Sequence, residues 1–192
     1  ALTRAIAARG AEVTGLSRST HGLDLTDERS IAAHLSALSA PFHTILVATG
    51  ALEIGGATPE KTLRALDPTA LAAQFALNAI GPALVLKHAL RLMPRDAPAR
   101  FAVLSARVGS IGDNRLGGWY SYRAAKAALN QLIHTGAIEV ARTHPQAIVA
   151  CLHPGTVATR FTADYAGTHP TVPPDTAARN LLAVLDGLTP AQ

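Results

Sequence analysis

Cysteine is almost absent from this chain. Cys151 is the only one in 192 residues, so no internal disulfide can form and a reducing, cytoplasmic setting is expected. Charge is sparse as well: 16% of residues are charged and 48% are apolar, which excludes a solvated, disordered chain and argues for a packed interior. The net charge is +4, but the arginines are scattered singly, and no Lys/Arg run reads as a nucleic-acid or membrane patch. No apolar stretch reads as long enough to span a membrane, and no secretory signal pattern is present. The eight histidines form no H-E-x-x-H motif or Cys/His cluster, so no metal site is expected. The length suits a single domain over residues 1–192.

Lysine and tyrosine are also scarce, with three of each. The run Trp119-Tyr120-Ser121-Tyr122-Arg123-Ala124-Ala125-Lys126 nevertheless holds a Tyr-x-x-x-Lys pair at the start of an Ala-rich helix. Four residues is about one helical turn, so the Tyr122 phenol and the Lys126 ammonium share a face. An ammonium beside a phenol favours the phenolate and eases proton transfer, as protonating a developing alkoxide near neutral pH requires. The alternative is an amphipathic helix with a packed Tyr and a solvated Lys. A chance pair at this spacing is roughly a one-in-twenty event.

Strands and helices alternate along the chain. Residues 1–9 read as a helix stopped by Gly10. Val13 to Ser17 read as a short strand and Gly22 to Leu25 as a minimal one. Thr26 or Asp27 caps a helix to about Leu38, with Ile31 and Leu35 inward. His43 to Thr49 is apolar enough for a strand buried on both faces. A long helix follows from about Pro68 to Met93, then a strand at Phe101–Leu104 and a glycine-rich loop. The Tyr122 helix runs to near His144, a strand at Ile148–Leu152 breaks at Pro154-Gly155, and a last helix spans Asp175 to Asp186. This order predicts an α/β fold, a doubly wound parallel sheet with helices on both faces, whose ligands bind beyond the carboxyl ends of the strands.

Those strand ends carry a recognisable set of residues: Ser17-Arg18-Ser19, then Asp24, then Ala48-Thr49-Gly50, then Ser105-Ala106-Arg107-Val108-Gly109, then Pro154 through Thr159. Asn78-Ala79-Ile80-Gly81-Pro82 lies on the long helix, and Tyr122 and Lys126 on the next. Together they resemble the short-chain dehydrogenase/reductase family with its Rossmann-like fold. Val108 to Asn130, with Asp113-Asn114 and Gly117-Gly118-Trp119, is most similar to the C-factor/sniffer-like carbonyl reductase branch.

The resemblance implies Tyr122 as general acid/base, and Lys126 as the cation that lowers its pKa and holds the nicotinamide ribose. It implies Asn78 as the residue that interrupts the long helix and holds a relay water; a plain polar helix residue is the alternative. Pro154, Gly155, Val157 and Thr159 match the nicotinamide-side loop, though a strand-ending turn would look the same. The family's Asn-Ala-Gly is altered to Ala48-Thr49-Gly50, where Gly50 still permits close approach to the cofactor. Two serines usually end the strand before Gly109, and the second of them binds the substrate carbonyl. Here Ala106 holds that position and Ser105 the first, on opposite faces unless the strand bulges. Ser105 is the slightly favoured substitute, with Ser110 as second candidate; losing one such hydrogen bond costs on the order of 100-fold in rate.

An acid at the end of the second strand commonly accompanies NAD preference, whereas Ser17-Arg18-Ser19 offers a guanidinium suited to a 2′-phosphate. NADP(H) is therefore expected over NAD(H), with Arg18 stacked on adenine or merely solvated as the alternative. Asp24 and Leu25 match the adenine-contacting pair, and Asp24 also reads as a helix-capping acid. Family members begin with a strand and a Thr-Gly-x-x-x-Gly-x-Gly turn that holds the pyrophosphate, and they end in a further strand. This sequence starts at Ala1-Leu2-Thr3-Arg4, inside the next helix, and stops at Gln192. A first strand and a last strand are thus expected to be missing, the first from mid-sheet between the strands ending at Ser17 and Thr49.

The function implied is hydride transfer between NADP(H) and a small carbonyl or alcohol substrate, in a homodimer or homotetramer by analogy. Arg107, Arg115, Trp119 and residues 161–170 are expected to border the substrate pocket. A dinucleotide-binding sensor or signalling protein with little turnover is the alternative. Ala48 and Ala106 favour it, and the intact Tyr122–Lys126 pair counts against it.

Overall fold

Three apolar runs rich in Val and Ile pair into the sheet. In the computed structural model, which describes residues 1–39, 41–165 and 170–190, β1 (Thr44–Val47), β2 (Ala99–Leu104) and β3 (Ala147–Leu152) lie parallel in that order. Val47 sits opposite Val103, and Val103 opposite Cys151. Side chains alternate along each strand, so the sheet has two buried faces. Val47, Phe101 and Val103 enter the larger core, together with residues of α3 (Glu28–Ser36), α4 (Pro68–Leu92) and α5 (Tyr120–Val140). Leu46, Ala102, Leu104 and Leu152 face the other way, onto Leu2 of α1 (Leu2–Ala7) and Leu181 and Leu185 of α6 (Pro174–Gly187). Helices on both faces of a parallel sheet make this a doubly wound, Rossmann-like fold.

Helix starts follow local chemistry. The Asp27 carboxylate accepts Arg29 N–H at 2.9 Å to cap α3, and Asp67 accepts Ala70 N–H at 2.8 Å, with Pro68 at the first position of α4. The surface ion pairs Arg4–Asp175 (2.9 Å) and Arg9–Asp186 (2.6 Å) join α1 to α6.

Three expectations are corrected. Val13–Ser17 and Gly22–Leu25 are not strands; between them Arg18–His21 forms a one-turn helix, α2, capped by Ser17 Oγ accepting Thr20 N–H at 3.2 Å. A strand needs a ladder partner, and among the described residues β1 has one only on its β2 side. Leu16, Leu23 and Leu25 instead drop singly into the core. The third correction concerns α4, which at 25 residues is long and apolar enough to cross a membrane by length and composition. Here it is a core helix, burying Ala79, Val85, Leu86 and Ala89 against the sheet and its neighbours.

Candidate active site

The first turns of α5 carry the Tyr122–Lys126 pair into the protein. Both side chains are buried, at 6% and 3% exposure. Lys126 Nζ donates to the Leu104 carbonyl at the end of β2 (2.9 Å) and stands 5.8 Å from the Tyr122 ring centroid. Burial pushes the Lys126 ammonium down to about 8, and the nearby Cys151 thiol offsets this slightly. Burial also pushes the Tyr122 phenol up to about 12, opposite to the direction expected from its cationic neighbour. The reason is geometric: the ammonium is turned to Leu104, and desolvation dominates.

Asn78 lies in a π-helical turn, Ala76–Ile80, inside α4, where the helix widens to aim a polar side chain inward. It is fully buried. Its Nδ2 donates to Ala51 O (2.9 Å) and Gln74 Oε1 (2.7 Å), and its Oδ1 accepts Ala51 N–H (3.2 Å). Gln74 Nε2 in turn donates to Leu52 O at 2.7 Å. Two amides one turn apart therefore hold the loop after β1 against α4. Gly50 fits this junction because a Cβ there would lie 2.9 Å from Asn78 Oδ1 and 3.7 Å from Lys126 Nζ. Gly109 lets the turn after β2 rest on the Lys126 backbone, where an added Cβ would be 2.8 Å from the Lys126 carbonyl carbon. Asn78→Ala leaves the buried Gln74 Oε1 and the half-buried N–H and carbonyl of Ala51 unmatched and is expected to destabilise the protein by about 2–4 kcal/mol. Thermal unfolding measures this, and a Tm within a degree of wild type would refute it.

Gly50, Asn78, Tyr122 and Lys126 thus converge, and Ser105 has its hydroxyl engaged by another residue of α5. Its Oγ donates to Asn130 Oδ1 on α5 at 2.6 Å, and both residues line a separate cleft of about 510 Å³ with Cys151 and His153. The strand stays regular to Leu104, so alternation returns Ser105 to the face that Val103 shares with α5, where Asn130 one helical turn beyond Lys126 takes its hydroxyl. Ser110 borders the same cleft, with its Oγ accepting Asp113 N–H at 3.3 Å.

Aromatic side chains gather at Tyr122. Trp119 meets it edge-on at 6.2 Å, Phe161 lies 6.5 Å away, and Tyr165 stands edge-on to Trp119 at 5.5 Å, its hydroxyl donating to Glu53. These four are half of the chain's Phe, Trp and Tyr residues. Of the residues expected at the pocket border, Trp119 and Phe161 lie beside Tyr122. Arg107 is instead paired with Asp113 at 2.5 Å, Arg115 is solvent-exposed, and residues 166–169 lie outside the described residues.

The residues expected at a dinucleotide form three groups. Ser17, Arg18 and Asp24 surround α2; the Arg18 side chain is exposed, without an ion pair among the described residues, and its charge helps hold Asp24 low. Asp24 is chiefly held below the usual carboxylate range by Thr26, whose hydroxyl and N–H it accepts at 2.7 and 2.8 Å. Leu25 buries its side chain in the core. Ala48 and Thr49 continue β1, exposed at its carboxyl end. Beyond β3, Pro154, Gly155 and Val157 are half-buried and Thr159 is exposed, on a segment held by a parallel bridge from Val157 to Val172. A free guanidinium at one end, and at the other a buried ammonium that spends one donor on Leu104, fit a phosphorylated, ribose-bearing ligand. Among the described residues, no three His, Cys, Asp or Glu side chains lie close enough to share a metal ion.

Sequence reasoning missed Gln74 and Asn130. Gln74 sits one helical turn before Asn78, a spacing visible in the sequence; the Ser105–Asn130 bond joins strand to helix and leaves no local signal.

The short-chain dehydrogenase family model matches residues 2–169. A 1-hydroxy-2-glutathionyl-2-methyl-3-butene dehydrogenase from Rhodococcus sp. (strain AD45) is 31% identical over 175 residues, covering 88% of this chain and 72% of that one. The C-signal protein of Myxococcus xanthus is 36% identical over 126 residues, covering 65% and 72%. The solved NADPH-bound carbonyl reductase from chicken fatty liver superposes with a TM-score of 0.70 at 26% identity, covering 88% and 69%. The chain belongs to the short-chain dehydrogenase family of oxidoreductases, which use a nicotinamide dinucleotide, and is similar to the branch that includes C-signal.

Proposed function

We propose that this protein is an NADP(H)-dependent carbonyl reductase in which Tyr122 hands its proton to the carbonyl oxygen of a small substrate. The observation that carries the reading is the convergence of Tyr122, Lys126, Asn78 and Gly50 at the carboxyl ends of β1 and β2. A nicotinamide bound there would supply the hydride to the carbonyl carbon. Tyr122, with its phenol pushed to about 12, carries its proton throughout the physiological range, the form that reduction consumes. Lys126 sits where its charge stabilises the phenolate left behind, and its spare donors hold a ribose. Asn78 and Gln74 keep the backbone of residues 51 and 52 clear of the ligand. Rings from Trp119 and Phe161 exclude water from the reacting carbonyl.

Arg18 supports NADP(H) over NAD(H), since a free guanidinium on α2 would meet a 2′-phosphate. The test is a fluorescence titration with both cofactors. NADPH is expected to bind at least about tenfold tighter than NADH, and Arg18→Ala to remove most of that preference by weakening NADPH alone. Equal binding of the two by wild type would refute the preference; binding of neither would refute the enzyme reading.

Ser105 gives a second reading its footing. With that hydroxyl committed to Asn130 and Ala106 beside it, a dinucleotide-binding sensor with little turnover remains a competitor. A sensor would keep its output in Tyr122→Phe, whereas a reductase would lose turnover.

A further inference from the structure

We infer that Glu60 is the positioning residue for Tyr122, clamping the start of α5 from the loop that follows β1. The inference rests on the reading of Tyr122 as proton donor. Helix α5 has no capping side chain of its own: Trp119 stands at its N-cap without a side-chain bond, and its first turn contains no acid. The orphan N–H groups that begin any helix need acceptors. Glu60, 61 residues earlier in sequence and 7% exposed, supplies them. Its Oε2 accepts Ser121 N–H at 3.1 Å, its Oε1 accepts the Ser121 hydroxyl, and its backbone carbonyl accepts Trp119 N–H at 2.5 Å.

The Trp119 contact holds an unfavourable conformation. Trp119 has φ 53° and ψ 40°, the left-handed region, and is the only non-glycine residue with positive φ among the described residues. Such a residue costs on the order of 1–3 kcal/mol and persists only where its surroundings impose it. The indole then lies edge-on to the Tyr122 ring at 6.2 Å. Ser121, the residue before Tyr122, is 2% exposed with both its donors on the Glu60 carboxylate. One buried acid therefore fixes the backbone on one side of the phenol and the ring that packs against it. Burial alone would raise the Glu60 carboxyl, but its hydrogen bonds, chiefly that from the Ser121 hydroxyl, outweigh burial and keep it ionised. Among the described residues Glu60 has no side-chain hydrogen bond to Gly50, Asn78, Tyr122 or Lys126, so its effect runs through residues 119 and 121.

The test compares wild type, Glu60→Ala, Glu60→Gln, Ser121→Ala and the Glu60→Ala/Ser121→Ala double variant. NADPH is used with p-nitrobenzaldehyde, cyclohexanone and diacetyl as probes. Glu60→Ala is expected to lower kcat on the order of 10–100-fold while KM and NADPH affinity stay within about twofold, the signature of a displaced proton donor. Glu60→Gln, which offers Ser121 one acceptor and one donor, is expected to recover most of the rate, and the double variant to lose no more than Glu60→Ala. Emission from Trp119, the only tryptophan, is expected to shift red in Glu60→Ala and reports the clamp without any turnover. Ser121→Ala keeps the test open if Glu60→Ala folds poorly. If kcat stays within twofold in both Glu60→Ala and Ser121→Ala, or falls only in step with cofactor affinity and Tm, the inference is overturned while the Tyr122 reading stands. No carbonyl turnover by wild type overturns both.

Discussion

Tyr122→Phe is expected to lower carbonyl-dependent NADPH consumption on the order of a thousandfold, with NADPH affinity within about twofold of wild type. The substitution removes one hydroxyl and keeps the ring that Trp119 and Phe161 pack against, so the fold has little reason to respond. The chemistry has every reason to. Without the phenol the cluster has no free hydroxyl to give up a proton: the Ser105 hydroxyl is donated to Asn130 and the Lys126 ammonium to the Leu104 carbonyl. Steady-state kinetics and a cofactor titration on the same preparation separate the two effects. A variant retaining a tenth of wild-type turnover would show that the proton comes from elsewhere.

Lys126→Met is expected to lower turnover at least about a hundredfold and, at neutral pH, to raise Tm by a few degrees. The two effects share one cause. The ammonium is 3% exposed with a single protein hydrogen bond, and burial holds its pKa at about 8, against 10.5 for a free lysine. At about 1.4 kcal/mol per pKa unit, the folded state carries a penalty of about 3 kcal/mol for keeping that charge. Methionine removes it and loses the bond to Leu104, worth about 1 kcal/mol, for a net gain of about 2 kcal/mol.

The sign follows from proton counting. Below pH 8 both folded and unfolded chains hold the lysine proton, and wild type bears the full penalty. Between pH 8 and 10.5 the unfolded chain binds more protons than the folded one, so wild-type stability rises with pH and the advantage of methionine shrinks. Tyr122 acts oppositely above pH 10, where its raised pKa makes wild-type stability fall as pH approaches 12. Melting curves of both proteins at pH 7 and pH 10 check this, and a lower Tm for the methionine variant at pH 7 would contradict it. A charge kept at such a cost marks a residue retained for function rather than stability.

Periodicity made part of this legible in advance. Tyr122 and Lys126 share a face because four residues make about a turn, and the apolar runs around Val47, Val103 and Val149 read as buried parallel strands. What failed depended on partners far away in sequence. Val13–Ser17 has strand composition, but a strand is a property of a pair, and no described strand pairs with it. The engagement of the Ser105 hydroxyl could not be read in advance because its partner Asn130 lies 25 residues away, on α5. Glu60 was invisible because its acceptors serve residues 119 and 121 across a gap no local pattern spans. The Tyr122 pKa went the other way because the spacing gives the proximity of a cation and says nothing of burial.

The central claim, that Tyr122 protonates a carbonyl while hydride arrives from NADPH, is tested most directly by isotope transfer. Wild type and Tyr122→Phe are incubated with NADPH deuterated at the transferable position and a panel of aldehydes and ketones, and the products are read by mass spectrometry. The account predicts an alcohol with one deuterium on the former carbonyl carbon from wild type, and almost none from Tyr122→Phe. NADPH bound by wild type with no deuterium delivered to any carbonyl would contradict it, as would equal labelling by both proteins.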